Sequence, residues 1–329
     1  MSAAVFSIVR QQRLPEPATS SNDPLKGNAV SDLRLAINPL PWVLQRGVFK
    51  LDQPTLRTAF EAVSSLGFHA VQSDVPSDMS AMAYRRLLRE FGLRPGPGYF
   101  AADLTERAAA LSTINAARRH ASIQAELGLD VVFIASGSSQ ERRQRPAVGA
   151  GFDQARLASI TDLVGQLAEA IVSEGVYPLL HPHVGSWIET EAEVRHVLDA
   201  TGGQLLGFGP DTGHLAWVGA DSPALFRDYR ERVRGIHLKD VDDTAVSRAN
   251  ASGADYWEAT IDQHVWTEPG RGSVPLDQLL DILGEDADRW HVLEVDVPNS
   301  GSALESTRVS ADWFRARGRF HSALSDAAG

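Results

Sequence analysis

Four stretches in the second half of the chain combine side chains that bind metals and move protons. The stretch LLHPHVGSWIET places His181 and His183 one residue apart at the end of an apolar run. Three later stretches, DTGH, HLKD and LEVD, contribute Asp211 with His214, His237 with Lys239, and Glu294 with Asp296. Imidazole nitrogens and carboxylate oxygens are donors that suit hard and borderline divalent cations. The four stretches therefore predict a metal site.

A single histidine or aspartate at a strand end is usually a hydrogen-bonded structural residue or a helix cap. Four such groups at one end of a barrel are harder to explain in this way, because a buried polar group without a partner costs about 1–3 kcal/mol. Residues i and i+2 of a strand share a face, so His181 and His183 are expected to point the same way. One imidazole can then bind a cation while its neighbour faces a substrate.

These residues fall at the ends of short apolar runs that alternate with helical patterns. Strands are predicted over residues 33–40, 68–74, 93–100, 130–137, 176–183, 205–211, 233–240 and 290–296. Helices are predicted over residues 54–67, 80–92, 105–127 and 152–175, with Asp153 as the N-cap of the last. Eight such units favour a (β/α)8 TIM barrel with its chemistry at the carboxyl ends of the strands. An open doubly wound sheet would need a glycine-rich phosphate turn, which the first strand end, INPLPW, lacks.

The domain organisation follows from composition and length. Residues 1–30 are predicted to be a flexible N-terminal extension, since residues 14–28 are rich in Pro, Ser and Asn. Residues 31–329 are predicted to form a single barrel, with an insertion at about 242–269 that is too long for a plain βα connection. The apolar stretch at residues 3–9 is too short for a signal peptide, and no segment suits a membrane span.

Charge and cysteine content restrict the function classes. The net charge of -11 and the pI near 5.4 disfavour a nucleic-acid partner. The chain has no cysteine, which excludes a disulfide framework, a thiolate metal site and a cysteine nucleophile, and suits a cytoplasmic location. The expected partner is a small sugar or polyol. A homo-oligomer is expected, with a second kind of subunit as an alternative, although no sequence feature fixes the oligomeric state.

Five stretches, in this order, resemble a known family: HPHVGSWIET, DTGHLAWVGAD, GIHLKDVD, EPGRGSVPLDQLLDIL and HVLEVD. They are similar to the xylose-isomerase-like TIM-barrel superfamily of sugar (phosphate) isomerases and epimerases, and within it to the inosose (2-keto-myo-inositol) dehydratase branch. The resemblance is densest over residues 176–297. It implies a divalent cation held by a fifth-strand carboxylate, the Asp of DxGH, the His of HxKD and a glutamate in the eighth strand.

The resemblance implies a ligand set with one departure. The matching positions are His181, Asp211, His237 and Glu294. The departure is His181, since the family has a carboxylate at this position. Two imidazoles and two carboxylates suit a hard or borderline cation, and we expect Mn²⁺, with Co²⁺, Mg²⁺ or Zn²⁺ as alternatives.

The same resemblance implies catalytic and substrate-binding residues. His183 resembles a substrate-side histidine of the family, and His214 resembles the DxGH histidine that contacts substrate. Lys239 would hydrogen-bond a substrate oxygen or Asp240. The candidate proton carriers are Glu294, His183 and His214. The candidate substrate-binding residues are Trp187, Trp266 and Arg271, with packing of the tryptophans and bracing of the PGRG turn as the alternatives for them.

The histidine at position 181 decides between reaction types. Epimerases of the superfamily use two metal-binding carboxylates as bases on opposite faces of the substrate, whereas a metal-bound imidazole is a poor base. We therefore expect a metal-dependent lyase or dehydratase that acts on a keto-polyol or oxidised sugar, such as a 3-keto-glycoside, through an enediolate and β-elimination. The alternatives are a sugar or sugar-phosphate isomerase or epimerase, and a non-catalytic carbohydrate-binding barrel.

Overall fold

Eight parallel strands form the centre of the fold. The structure is a computed structural model that describes residues 34–45, 47–104 and 109–317. The strands around the barrel are β1 (Arg34–Ile37), β2 (Ala70–Gln72), β3 (Arg94–Gly96 and Tyr99–Ala102), β4 (Val131–Ser136), β5 (Tyr177–Leu180), β6 (Gly207–Phe208), β7 (Gly235–Leu238) and β8 (Trp290–Leu293). Each strand run predicted from the sequence overlaps one of them.

The strands pair in parallel around a closed cylinder that has two arcs. One arc has the order β7-β8-β1-β2-β3 and uses the first piece of β3, and the other has the order β3-β4-β5-β6 and uses the second piece. β6 meets β7 through two parallel bridges, which join Phe208 to Val233 and Asp211 to His237. The fold is therefore the predicted (β/α)8 TIM barrel.

Helices lie between the strands. The α-helices of the described residues are Leu40–Val43, Gln53–Ser65, Ala81–Glu90, Ala110–Glu126, Gln140–Gln144, Gln154–Val172, Glu191–Thr201, Thr212–Trp217, Ser222–Asp228, Asp243–Ser252, Leu276–Leu283 and Ala303–Arg315. As predicted, Asp153 caps one helix by accepting the N–H of Arg156 at 2.6 Å. The predicted helix over 105–127 is observed from residue 110, and residues 105–108 lie outside the described ranges.

The segment predicted as an insertion, at about 242–269, has secondary structure of its own. It contains the helix Asp243–Ser252, the short π-helix Glu258–Asp262 and the strand Trp266–Thr267, which pairs antiparallel with Asp240–Val241. The predicted extension over residues 1–30 lies outside the described residues. Among the helices that are described, none is long and apolar enough to cross a membrane.

The ring of Phe133 fills the barrel interior next to the predicted site. Its centroid lies 4.3 Å from that of His237 and 5.6 Å from that of His181. A Cβ added at Gly209 or Gly235 would lie 2.7 or 2.8 Å from atoms of this ring, which is too close for any side chain. The two glycines therefore make room for an aromatic support beneath the histidines.

Candidate active site

Three strand ends bring metal-binding atoms together. His181 follows β5, Asp211 lies three residues after β6, and His237 lies in β7. One donor atom from each residue lies within 4.8 Å of the other two. His181 Nε2 and His237 Nδ1 lie 3.9 Å and 4.0 Å from Asp211 Oδ2. All three residues are at most 2% exposed, so the group is buried.

The hydrogen bonds of His181 leave a lone pair facing this group. His181 Nδ1 lies 3.1 Å from the Gly209 carbonyl oxygen, which can only accept, so Nδ1 carries the ring hydrogen. Burial lowers the pKa of His181 well below its ordinary value, which keeps the ring neutral. Nε2 therefore presents a lone pair toward Asp211 Oδ2, a buried oxygen with no hydrogen-bond partner among the described residues. Two facing acceptors without a hydrogen between them fit a cation site.

Glu294 borders the donor group from β8. Its Oε2 lies 2.8 Å from His237 Nδ1, although neither ring nitrogen of His237 forms a well-oriented hydrogen bond within the described chain. Asn38 Nδ2 donates to the same carboxylate oxygen at 2.6 Å. Glu294 is not among the three residues whose donor atoms all lie within 4.8 Å of one another. Two imidazoles and two carboxylates nevertheless converge here, and this donor set fits a divalent cation.

Lys239 is a buried cation among carboxylates. Its Nζ lies 2.9 Å from Glu294 Oε1 and 2.5 Å from Asp296 Oδ1. Burial alone would lower the pKa of Lys239, but these carboxylates and that of Asp211 raise it well above its ordinary value. In turn, Lys239 and His237 hold the pKa of Glu294 well below its ordinary value, although burial alone would raise it. The site therefore contains an ionised Glu294 beside a permanent positive charge.

The expected pairing of Lys239 with Asp240 is wrong. Successive residues of a strand face opposite sides, so the side chain of Asp240 points away from that of Lys239. The carboxylate of Asp240 instead accepts backbone N–H groups from the following turn. These donors are Val241, Gly270, Gly272 and Val274. Asp240 thus holds the PGRG turn, while Lys239, which is 0% exposed and does not line the cavity described below, contacts protein carboxylates rather than open space.

A cavity of about 270 Å³ opens beside the donor group. Its polar lining includes Asp74, His181, His183, His237, Glu294 and Asp296. Its apolar lining includes Leu40, Leu44, Phe49 and Trp257. Phe49 is 61% exposed, so the apolar side faces the solvent, whereas His181 and His237 are buried. The cavity thus has a polar floor and an apolar mouth, and its volume suits a small molecule.

The two candidate histidines outside the donor group have different surroundings. His183 lines the cavity, and burial lowers its pKa to about 4, so its ring is neutral. His214 is 1% exposed and does not line the cavity. Its Nδ1 accepts the N–H of Val184 at 3.2 Å, and its Nε2 lies 3.2 Å from Lys239 Nζ. The structure therefore places His183, but not His214, where a substrate can be reached.

The three predicted substrate-binding residues are not brought to the cavity. Trp187 packs between two guanidinium groups, with Arg156 4.4 Å and Arg142 5.2 Å from its ring centroid. Trp266 is fully buried, and its ring lies 4.1 Å from Lys239 Nζ. Arg271 is half-exposed and donates to Ser300 Oγ at 2.5 Å. The two tryptophans therefore pack against charged side chains, and Arg271 braces the PGRG turn, as in the alternatives given for them above.

Several cavity residues were missed by the sequence analysis. Asn38, Asp74 and Tyr99 follow or lie in the first three strands and line the cavity. Tyr256, from the segment predicted as an insertion, lines it as well, beside Trp257, which the sequence did offer as an aromatic surface for an aglycone. A signal was present, because the predicted strand over 68–74 ends on Asp74 just as the strand over 205–211 ends on Asp211. The predicted strands of the first half of the barrel do not end on histidine, so a pattern of histidines at strand ends does not point to them.

Comparisons with known proteins agree with this architecture. The rhizopine catabolism protein MocC of Rhizobium meliloti is 26% identical over 300 residues, which cover 88% of this chain and 90% of that protein. Inosose dehydratase 2 of Bacillus cereus (strain ZK / E33L) is 22% identical over 273 residues, which cover 80% and 90% of the two chains.

Solved structures share the fold. The probable 3-DHS dehydratase AsbF of Bacillus anthracis superposes with a TM-score of 0.62 at 14% identity, covering 87% of this chain and all of that one. The IOLI protein with a bound zinc atom gives a TM-score of 0.64 at 13% identity, covering 89% of this chain and all of that one. The model of one family, described as the xylose isomerase-like TIM barrel, matches residues 60–317. Since this match spans well over half of the sequence, the chain belongs to the xylose isomerase-like TIM barrel family.

Proposed function

We propose that this chain, an enzyme of the xylose isomerase-like TIM barrel family, is a divalent-metal-dependent lyase that removes water from a keto-polyol or oxidised sugar. The proposal rests on one observation. Three buried donors, His181, Asp211 and His237, meet at the floor of a cavity beside the ionised carboxylate of Glu294. Dehydration is also the activity in the name of the inosose dehydratase relative.

The chemistry that a divalent cation supplies in such a site is Lewis acidity, which makes a hydrogen beside a carbonyl easier to remove. The protein supplies the groups that would hold the cation, namely His181, Asp211 and His237, with Glu294 beside them. We infer Mn²⁺ as the ion, because a set of two nitrogens and two oxygens suits a hard or borderline cation. Loading with Mn²⁺, Co²⁺, Mg²⁺ and Zn²⁺ in parallel tests this choice.

The surroundings of His181 favour elimination over epimerisation. An epimerase needs a base on each face of the substrate carbon, and the resemblance implies that His181 stands where the family has a metal-binding carboxylate. His181 cannot take this role, since its Nδ1 is tied to Gly209 and its Nε2 faces the donor group. Glu294 then remains as the base, and another group must act as an acid.

The direct test is to incubate the metal-loaded protein with 2-keto-myo-inositol and to follow the absorbance of the enone product. Elimination should appear in the wild type and fall at least roughly 100-fold in Glu294→Gln, which removes the proposed base. Glu305→Gln, on an exposed helix start, is the matched control and should keep full activity. An epimer that forms without loss of water would overturn the proposal in favour of an epimerase.

The apolar mouth favours a second candidate, in which the leaving group is an aromatic aglycone rather than water. Trp257, Leu44 and Phe49 line this mouth, and the indole N–H of Trp257 is the one hydrogen-bonding group that these three side chains offer. A 3-keto-glucoside with an aromatic aglycone would place its sugar on the polar floor and its aglycone against these residues. A higher kcat/KM for this compound than for 2-keto-myo-inositol would favour the second candidate.

A further inference from the structure

The wall of the cavity formed by β2 carries two polar groups that the proposed function does not yet use. Gln72 ends β2, and Asp74 lies two residues farther along. Both residues line the cavity. In a cylinder of eight strands, β2 lies across the axis from β6, which leads to Asp211. A substrate held at the donor group would therefore have Gln72 and Asp74 on its other side.

Asp74 lies among hydrogen-bond donors. The backbone N–H of Tyr99 and the side-chain amide of Gln72 lie near its carboxyl group and lower its pKa. Burial outweighs both and raises the pKa of Asp74 to about 6. Of the two carboxyl groups, Asp74 therefore holds a proton more readily than Glu294, whose pKa is held well below its ordinary value.

Gln72 provides a second and independent observation. It is 3% exposed, and its Oε1 has no hydrogen-bond partner within the described part of the chain. Because a buried acceptor without a donor costs about 1–3 kcal/mol, such an atom in a cavity wall indicates that a ligand supplies the donor. A hydroxyl group is the donor that a polyol offers.

The geometry points to Asp74 as the general acid that protonates the leaving oxygen, with Gln72 Oε1 accepting a hydrogen bond from a substrate hydroxyl beside it. This assignment rests on the proposed lyase function and names the proton donor that the function lacks. The β2 wall, defined as Gln72 and Asp74, would thereby orient the substrate as well as complete the reaction.

The elimination balances with these groups. Glu294 takes the proton from the carbon beside the carbonyl, and the electron pair of that C–H bond forms the new C=C bond. The C–O bond at the next carbon breaks, and its oxygen takes the proton of Asp74 and leaves as water. A keto-polyol thus becomes an enone and water, and a proton passes from Glu294 back to Asp74 through solvent before the next turnover.

The test separates proton removal from loss of the leaving group in Asp74→Asn, a change that keeps the size of the side chain. In D₂O, NMR should show that the variant still exchanges the hydrogen beside the carbonyl. Its release of water should fall by roughly 100-fold or more, the usual contribution of a general acid. An analogue with fluorine in place of the leaving hydroxyl needs no proton on its leaving group, so its elimination should fall less than about 10-fold.

Matched variants complete the experiment. Asp78→Asn, on an exposed residue of the same loop, should match the wild type on both substrates. Gln72→Met should raise KM with little change in the hydrogen exchange at saturation. An equal loss with the hydroxyl and fluoro substrates in Asp74→Asn would overturn the acid role while leaving the lyase intact. A wild type that exchanges hydrogen but never eliminates would instead overturn the lyase function and, with it, the need for an acid.

Discussion

The ring of His183 lies against the ring of His214, with centroids 3.8 Å apart and planes inclined by 40°. The ring of His181 lies 6.5 Å from His183 and faces His237 instead, at 4.5 Å. Two histidines on one face of the same strand end are thus divided between two sets of neighbours. His181 belongs to the donor group, and His183 belongs to the cavity wall.

This division predicts that replacing His181 weakens metal binding, whereas replacing His183 does not. His181→Leu should weaken Mn²⁺ binding by at least roughly 100-fold, since even the outer contacts of a metal site are worth 10–100-fold. His183→Leu is the matched control and should keep its affinity while losing activity. Isothermal titration of each chelator-treated variant with Mn²⁺ measures the difference. Equal losses of affinity in both variants would contradict the donor group as described.

Replacement of Lys239 should destabilise the fold. Lys239→Met leaves Glu294 and Asp296 buried without their shared cation, which should lower the free energy of unfolding by about 3–5 kcal/mol. Arg57→Met removes an exposed ion pair with Glu90 and should cost less than about 1 kcal/mol. Urea denaturation of both variants measures these changes. A Lys239→Met variant as stable as the wild type would show that the carboxylates do not need this charge.

Metal removal should abolish activity and reduce stability together. A ligand that binds only the folded state stabilises it by about 2.7 kcal/mol when present at 100 times its Kd. Addition of Mn²⁺ to chelator-treated protein should therefore raise the melting temperature and restore turnover. Asp211→Asn removes the carboxylate that lies beside both histidines. The melting temperature and turnover of this variant should therefore change neither when Mn²⁺ is added nor when it is removed. Thermal scans that do not change under chelation would count against a metal site.

The two tryptophans at positions 257 and 187 should differ in their effect on substrate binding. Trp257 lines the cavity mouth, so Trp257→Ala should raise KM for a 3-keto-glucoside with an aromatic aglycone. A stacked aromatic pair is worth about 0.5–1.5 kcal/mol, which corresponds to roughly 2- to 13-fold in KM. Trp187→Ala should leave this KM unchanged, because Trp187 packs against Arg142 and Arg156. Steady-state kinetics on both variants distinguishes these outcomes.

The loss of fold stability at low pH should depend on His120, which is distant in sequence from the donor group. Burial beside Phe100 lowers the pKa of His120 to about 4 from its ordinary value of 6.5. The unfolded chain therefore binds the imidazole proton of His120 more tightly than the folded chain does. The stability that the neutral ring contributes to the fold is complete above pH 6.5 and is lost as the pH falls toward 4. The loss is at most about 1.4 kcal/mol for each pH unit. His120→Leu should flatten this fall in urea titrations, whereas His69→Leu, at an exposed position, should not.

The barrel could be predicted from the sequence because its signals are local. Short apolar runs alternate with helical patterns, and glycines end the helices at positions 67, 92, 128 and 175, all with φ between 69° and 83°. The three donor residues could be predicted for a similar reason. His181, Asp211 and His237 lie at or near strand ends, and strand ends on one side of a barrel converge.

The orientation of side chains outside the eight barrel strands could not be predicted in this way. Trp187 and Trp266 lie close in sequence to site residues, yet each packs against a charged side chain of the protein instead of lining the cavity. Their partners come from distant parts of the chain, such as Arg156 for Trp187, and only the folded structure brings them together. The roles of His183, Lys239 and Glu294 in catalysis stay predictions.

The division of the barrel into two arcs has a mechanical consequence. His181 and Asp211 lie on or after strands of one arc, and His237 and Glu294 lie on or after strands of the other. Between β6 and β7 the arcs meet only through isolated bridges, in the part of the chain that is described. A cation bound by these side chains would link the two arcs across β6 and β7. The metal-loaded enzyme should therefore resist separation of these two strands, which few backbone hydrogen bonds hold together.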